Sequence, residues 1–171
     1  MDRGSFVRHD GRPAVRFERS YPHPVERVWR AITSPEEVPA WFPSSFEFEP
    51  WVGGRIVFSG DPNLADSAGT ILAYAPPNAF ACTWGADELH FTLQPVGATA
   101  CVLVLVNVLA EENAAARNAT GWTVCLGELT KVLAGQPGNG PHGAEVPPFQ
   151  PLYDAYVESG MPHGAAIPGI E

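Results

Sequence analysis

Alternation of apolar and polar residues dominates the middle of the chain and predicts short β-strands. Phe46 and Phe48 alternate with Glu47 and Glu49, and Gly53-Gly54 supplies a tight connection to the next apolar segment. This alternation gives a strand one buried face and one solvated face. Further strand-like segments cover residues 55–59, 70–75, 80–84, 89–94 and 99–109. Short strands joined by short turns predict an antiparallel meander.

A strand and a helix are predicted ahead of this meander. Residues 15–20 alternate in the manner of a strand. Pro24 then suits the first turn of a helix, and the apolar residues Val25, Val28 and Ile32 recur on one face of it. The segment after Pro24 is therefore predicted to be an amphipathic helix.

A second, shorter helix is predicted to follow. The sequence Ser-Pro-Glu-Glu at 34–37 has the pattern of a capping box with proline at the first helical position. This helix would carry Trp41 and Phe42. Pro39 and Pro43 limit it to one or two turns, because proline lacks the amide donor and clashes with the preceding turn.

The apolar period changes after the last strand-like segment. Trp122, Leu126, Leu129 and Leu133 recur at intervals of four, three and four residues, which is helical spacing. The pattern predicts a long helix over 112–133 with one strongly apolar face, ended by Gly135.

The two ends of the chain differ from the middle in composition. Residues 1–13 are polar and are predicted to be an N-terminal lead-in to a domain at 14–134. The tail at 135–171 contains seven glycines and seven prolines, a composition that cannot build a core of its own. Within it, residues 151–158 could form a short helix. The apolar stretch there suggests either docking onto the domain or a homodimer formed through the tail.

Charge narrows the classes of partner. The 171 residues include 10 basic and 19 acidic side chains, for a net charge of -9, and the basic residues form no stripe. An acidic surface repels phosphate, so a nucleic acid and an anionic membrane surface are both disfavoured as partners. No apolar run approaches the roughly 18 residues that a membrane span needs, and the N-terminus has no apolar signal core. These features predict a cytoplasmic protein without membrane insertion.

Five ordered segments of the sequence resemble the SRPBCC (START-like) superfamily, in the branch similar to the activator of heat-shock protein 90 ATPase. They are HPVERVWRAITSPEEVPAWF, VGG, GTILAYAPPNAFACTWG, LHFTLQPVGAT and GWTVCLGELTKVL, which together run from residue 23 to residue 133. No single segment is specific to the superfamily, but the five segments in this order and spacing are. The resemblance implies an α+β helix-grip fold, in which a curved antiparallel sheet wraps around the long C-terminal helix and two short helices follow strand 1. It also implies a cavity between the sheet and the long helix.

Strand alternation and helix periodicity select the residues that would line such a cavity. Most are apolar or aromatic, and each is equally a candidate for ordinary core packing. The ligand-binding candidates are Trp41, Phe46, Phe48, Phe58, Trp84, Phe91, Leu103, Leu105, Asn107, Trp122 and Leu126. Asn107 interrupts the apolar run VLVLVNVL, so it is either a polar handle on the cavity floor or a solvated strand end.

The sequence contains none of the common motifs that indicate catalysis or a cofactor. The five histidines lack metal-ligand spacing, and the sequence has no HExxH, CxxC, Walker-type, GxGxxG or GxSxG pattern. Asp61, Asn63 and Asp66 share one loop but lack the remaining calcium ligands of an EF-hand. No cofactor, no metal and no catalytic residue are therefore predicted. The three cysteines lie in apolar runs and fit buried small side chains better than reactive thiols.

Three functions remain open at this point. The favoured hypothesis is that a hydrophobic small molecule, such as a lipid-, sterol- or polyketide-like compound, binds between the sheet and the long helix. The second is a co-chaperone-like module that interacts with a chaperone, which the resemblance implies. The third is an enzyme of cyclase or hydrolase type acting on a hydrophobic substrate, with Asn107 as a polar group.

Overall fold

Eight antiparallel strands form one sheet in the computed structural model, which describes residues 3–168. In chain order the strands are β1 (Ser5–His9), β2 (Arg12–Tyr21), β3 (Ser45–Phe48), β4 (Arg55–Ser59), β5 (Ser67–Ala75), β6 (Ala79–Trp84), β7 (Asp87–Val96) and β8 (Ala100–Val108). Their order across the sheet is β1-β2-β8-β7-β6-β5-β4-β3. Strands β3 to β8 are thus the predicted meander, and β2 joins it beside β8. The predicted α+β class with an antiparallel sheet is confirmed.

Three α-helices and two single 3₁₀ turns complete the described chain. The α-helices are α1 (Val25–Thr33), α2 (Ala115–Leu133) and α3 (Phe149–Glu158), and the 3₁₀ turns cover Val38–Ala40 and Glu112–Ala114. The second 3₁₀ turn leads directly into α2, so the long helix predicted over 112–133 is present with a tighter first turn. No helix within residues 3–168 is long and apolar enough to cross a membrane.

Strand β1 lies in the segment that the sequence pattern assigned to a loose lead-in. A two-residue turn, Asp10-Gly11, joins it to β2, with φ of 50° at Asp10 and 81° at Gly11. Positive φ at both positions is the geometry of the turn that closes tight hairpins, and Asp-Gly is its preferred sequence. The strand that precedes α1 is consequently the second in the chain.

The capping-box interpretation of residues 34–37 is wrong. Ser34 instead ends α1, where its backbone N–H donates to the Arg30 carbonyl at 2.9 Å. Glu37 pairs with two arginines of α1, at 2.8 Å from Arg27 and 3.1 Å from Arg30. Ion pairs back to α1 thus replace helix capping, and the predicted second helix is only the 3₁₀ turn Val38–Ala40.

Helix α2 covers the inner face of the sheet and closes the hydrophobic core. Its buried side chains include Trp122, Cys125, Leu126 and Leu129, the last without any exposure. They belong to one continuous core with the inward residues of the sheet and of α1. The predicted apolar face of the long helix is therefore its contact with the sheet.

The C-terminal segment packs against α2 through Tyr156 of α3. The Tyr156 hydroxyl accepts a hydrogen bond from the Gly4 backbone N–H at 2.9 Å and shares another with Thr123 at 2.7 Å. Tyr156 is 2% exposed, and Tyr153 and Val157 pack against the same core. The apolar stretch that suggested a homodimer therefore has its partner within the chain.

Replacing Tyr156 with phenylalanine should lower the free energy of unfolding by about 1–3 kcal/mol, because the Gly4 N–H is left without its partner. Urea denaturation followed by tryptophan fluorescence measures the change. Tyr153→Phe is the matched control, since Tyr153 is also partly buried but its hydroxyl makes no hydrogen bond within residues 3–168. Equal stabilities of the two variants would contradict a docking role for the Tyr156 hydroxyl.

Candidate functional site

An aromatic cluster centred on Phe42 fills the space between the sheet and α2. Phe42 follows the 3₁₀ turn Val38–Ala40, and its backbone N–H donates to the Val38 carbonyl at 2.9 Å. It is 1% exposed. Five aromatic rings have their centroids 5.3–6.2 Å from its own: Trp41, Phe46, Phe58, Trp84 and Trp122. Sequence reasoning assigned Phe42 to a helix and did not name it as a site residue.

All eleven predicted site residues lie in or against the hydrophobic core. Nine of them are buried, and Phe48 and Trp84 are partly buried. The structure brings five of the seven aromatic members together around Phe42, whereas Phe48 and Phe91 pack on Phe80 and Leu103 and Leu105 of β8 are core residues. The indole N–H of Trp41 donates to the Ala31 carbonyl at 2.8 Å, so that donor is already used within the protein.

Asn107 lies at the centre of a buried polar network. It is 0% exposed, which excludes the solvated strand end. Its Nδ2 donates to Asp87 Oδ2 at 3.1 Å and to the Glu88 carbonyl at 3.3 Å. Its Oδ1 accepts from Asn118 Nδ2 at 2.9 Å and from Trp122 Nε1 at 3.1 Å. The amide has no hydrogen-bonding capacity left over for a ligand or substrate.

His90 lies on the outer face of β7, between the buried residues Leu89 and Phe91. Its Nε2 is 2.9 Å from Glu88 Oε1, and Arg12 pairs with the same carboxylate at 2.7 Å. The hydrogen bond from His90 lowers the pKa of Glu88, and Arg12 acts in the same direction. This group is an ion-pair network on the side of the sheet away from α2.

A narrow crevice leads from the aromatic cluster to the surface beside Trp84. Its volume is about 20 Å³. It lies between the start of β3, the loop that joins β4 to β5, and the end of β6. The lining residues are Ser44, Phe58, Ser59, Asp61, Leu64, Ala65, Asp66, Ser67 and Trp84. Phe58 and Trp84 belong to both the crevice and the aromatic cluster, so the crevice borders the cluster, and we refer to it as the mouth.

The loop that forms one wall of the crevice is held by its own hydrogen bonds. Asp61 Oδ1 accepts from the Asn63 backbone N–H at 2.7 Å, and Asp66 Oδ1 accepts from the Gly60 N–H at 3.2 Å. Within residues 3–168, no group of three or more His, Cys, Asp or Glu side chains is placed to hold a metal ion. The two aspartates thus shape a polar loop.

The segment that follows α2 ties the Phe42 turn to the rest of the site. The Gly140 N–H donates to the Ala40 carbonyl at 3.1 Å, and the Asn139 N–H donates to Glu128 of α2 at 3.1 Å. A Cβ at Gly138 would lie 2.6 Å from the Ala40 oxygen, so only glycine fits this approach. The composition of the tail did not indicate this contact.

His142 brings the same segment to the crevice. Its Nε2 donates to the Pro43 carbonyl at 3.0 Å and lies 3.7 Å from Asp61 Oδ1. We refer to residues 138–142 as the strap. The strap joins three elements that meet at the mouth: the Phe42 turn, α2 and the loop of Asp61.

Two of the cysteines face this interior but are poor nucleophiles. Burial raises the pKa of Cys82 to about 12. Burial also raises the pKa of Cys125, and the nearby carboxylates of Asp61 and Glu128 add to the effect. Both thiols stay protonated near neutral pH, so neither supplies a nucleophile for covalent chemistry.

A larger, open cleft of about 550 Å³ lies at a different place, where residues 111–113 face 157–163. Its lining includes Glu111, Glu112 and His163, but no phenylalanine, tyrosine or tryptophan. Val157, Met161 and Pro162 also line it, but the cleft is open, whereas the aromatic cluster offers the buried apolar contact from which a mostly apolar ligand gains free energy. The smaller crevice is therefore the candidate site.

The sheet, the covering helix and the aromatic interior define the helix-grip class of α+β proteins. Residues 22–134 match the family described as Activator of Hsp90 ATPase homolog 1-like protein. The chain belongs to this family, within the SRPBCC superfamily, and the resemblance predicted from the sequence is confirmed.

Solved structures share the fold over nearly the whole chain. EF2215 from Enterococcus faecalis is 21% identical with a TM-score of 0.74, over 91% of this chain and 89% of its own. CalU16 from Micromonospora echinospora is 20% identical with a TM-score of 0.70, over 91% and 93%. The BPP1335 protein of Bordetella parapertussis is 26% identical with a TM-score of 0.67, over 98% and 95%. No match was found among curated proteins.

Replacing Asn107 with leucine should lower the free energy of unfolding by about 2–5 kcal/mol, since several buried polar groups lose their partner at once. Urea denaturation measures the loss. Asn118→Leu is the matched control, because Asn118 is only partly buried and contributes fewer bonds to the network. Unchanged stability in both variants would show that the network does not hold α2 to the sheet.

Proposed function

We propose that the protein binds a small, mostly apolar molecule of lipid-, sterol- or polyketide-like character between the sheet and α2. One observation carries this proposal: the aromatic cluster reaches the surface at the crevice beside Trp84. The hydrophobic ligands that this superfamily typically binds support the same function. The ligand would contact the rings that now touch Phe42, with Trp84 at the mouth.

Phe42 is the side chain best placed to make room for the ligand. It follows a single 3₁₀ turn, whereas its neighbours Phe46, Phe58 and Trp84 belong to strands. A strand shifts only by breaking a row of ladder hydrogen bonds, whereas the turn between α1 and β3 is held to the strap by two, from Gly140 to Ala40 and from His142 to Pro43. Contacts of an apolar ligand with the vacated rings would offset the displacement, at about 0.5–1.5 kcal/mol for each aromatic pair beyond simple burial.

We expect the protein to bind N-phenyl-1-naphthylamine, a neutral apolar fluorophore, saturably and with one site. Trp84→Ala should weaken this binding by roughly tenfold, because one stacking wall is lost. Phe42→Ala should strengthen it, since the ligand no longer displaces a ring. That variant should also be less stable by about 3–5 kcal/mol, the usual cost of emptying a buried phenylalanine site.

Fluorescence titration gives the dissociation constants, and urea denaturation gives the stabilities. Phe149→Ala is the control, since Phe149 stacks on Tyr153 in α3, away from the cluster. Its affinity for the fluorophore should equal that of the unaltered protein. Absence of saturable binding, or equal losses in Trp84→Ala and Phe149→Ala, would count against a site at the cluster.

A co-chaperone-like interaction is a second candidate function, favoured by the tip of the hairpin between β3 and β4. Trp51 is 54% exposed there and Val52 is 64% exposed. Exposed tryptophan is costly in water and is a frequent anchor of protein interfaces. The family name, which refers to activation of the Hsp90 ATPase, gives the partner to test.

If this second function holds, Trp51→Ala should reduce binding to an Hsp90-class chaperone by roughly tenfold, as loss of an aromatic anchor does. Surface plasmon resonance and stimulation of the chaperone ATPase report it. Val96→Ala is the control, because Val96 is also exposed, at 56%, but lies at the end of β7. If the unaltered protein neither binds nor stimulates the chaperone at micromolar concentration, this candidate is eliminated.

A further inference from the structure

The crevice beside Trp84 contains a buried hydroxyl without a partner. Ser44 is 7% exposed, and its Oγ makes no hydrogen bond within the part of the chain that the structure describes. A buried hydroxyl without a partner costs about 1–3 kcal/mol. Asn107, by comparison, has every hydrogen bond filled. Ser44 is one of the residues that line the crevice, so this hydroxyl lies directly behind the crevice wall.

Asp61 brings a negative charge to the same crevice. Its side chain is only 9% exposed. It accepts one hydrogen bond from its own loop, at Oδ1, and the same oxygen lies 3.7 Å from Nε2 of His142, which donates to the Pro43 carbonyl. Asp66 lines the crevice as well, and no lysine or arginine does. The crevice therefore offers acceptors and negative charge, and it repels an anionic group.

The size of the crevice limits what it can accept. A volume of about 20 Å³ has room for about one water molecule. An ammonium group is similarly compact and carries three donors, which suits two carboxylates and a hydroxyl. A planar guanidinium is larger than this space. Phe58 and Trp84 form the apolar part of the same lining, so the group would be attached to an apolar body.

We propose that the crevice binds the protonated amine of an otherwise apolar ligand, with Asp61 as the counter-ion and Ser44 as a hydrogen-bond partner. The ligand's apolar body would lie against Trp84 and Phe58. This inference rests on the proposed function, because it assigns a charge to the ligand that the aromatic cluster binds. It adds a selectivity: amines bind in preference to alcohols or acids with the same apolar body.

The test compares 1-naphthylmethylamine with 1-naphthalenemethanol, which share an apolar body and differ in the polar group. Isothermal titration near pH 7 and at about 0.15 M salt limits the general attraction of a cation to an acidic protein. We expect the amine to bind more tightly by roughly ten- to hundredfold, the usual range for a hydrogen bond to a charged group. Asp61→Asn should abolish this preference while leaving the affinity for the alcohol nearly unchanged.

Two further variants separate the crevice from other causes. Asp154→Asn also removes one negative charge, but at an exposed position on α3, and it should keep the full preference for the amine. Ser44→Ala should weaken binding of the amine without destabilising the free protein, since its hydroxyl has no partner to lose. Ser44→Ala also remains informative if Asp61→Asn fails to fold, which melting curves would reveal.

Each outcome decides between the two proposals. If neither naphthyl compound binds the unaltered protein, both the proposed function and this inference are wrong. If both bind equally, or if the preference for the amine survives in Asp61→Asn and in Ser44→Ala, the amine assignment is overturned and apolar binding stands. A preference lost in Asp61→Asn but kept in Asp154→Asn supports the assignment.

Discussion

The contact between α2 and the inner face of the sheet holds the molecule together, and Trp122 shows how it is made. The indole centroid lies 5.5 Å from that of Trp84 and 5.7 Å from that of Phe42, so the apolar surface of the indole is buried against the cluster. An indole in such a position still has one N–H to satisfy. Asn107 of β8 accepts that N–H at 3.1 Å, and this bond fixes where along the strand the helix lies.

Burying the Asn107 amide requires hydrogen-bond partners for its remaining donors and acceptor. The Asn107 amide must also be satisfied, and Asp87 and Asn118 do so. Asp87 in turn accepts the Ala110 N–H at 2.9 Å, just after β8 ends. Burial of one large aromatic ring thus leads to a polar network that joins α2, β8 and the start of β7. Networks of this kind contribute to a unique arrangement because each member depends on the others.

Much of the fold could be predicted from the sequence because its signals are local. Period-two alternation and period-3.6 apolar spacing identify strands and helices, and residues 112–133 show the second clearly. The Asp10-Gly11 turn was an available signal for β1 that the polar character of the lead-in obscured. The role of Glu37 was harder to predict from the sequence, because its ion pairs to Arg27 and Arg30 depend on where the chain turns after α1.

The candidate site was predictable in its apolar part and less so in its polar part. Alternation places Phe46, Phe58 and Trp84 on the inner face, since side-chain direction follows from strand geometry. Phe42 lies on a turn without such periodicity, so its central position is decided by tertiary packing. The strap also could not be predicted, because a segment rich in glycine and proline gives no periodic signal. Its contacts with Ala40, Glu128 and Pro43 exist only once the core has formed.

The two polar sites near α2 differ in a way that bears on function. Around Asn107 every buried donor and acceptor is matched, which is the condition for a network that only stabilises the fold. At the crevice, the Ser44 hydroxyl has no hydrogen-bond partner among the described residues, and Asp61, at 9% exposure, lies 3.7 Å from His142. Folding alone gives no reason to keep such groups, since an alanine or an asparagine would avoid the cost. Sites where a protein departs from local optimisation are commonly those where it meets a ligand. Phe58 and Trp84 of the apolar cluster line the same crevice, so these groups and the apolar surface lie side by side.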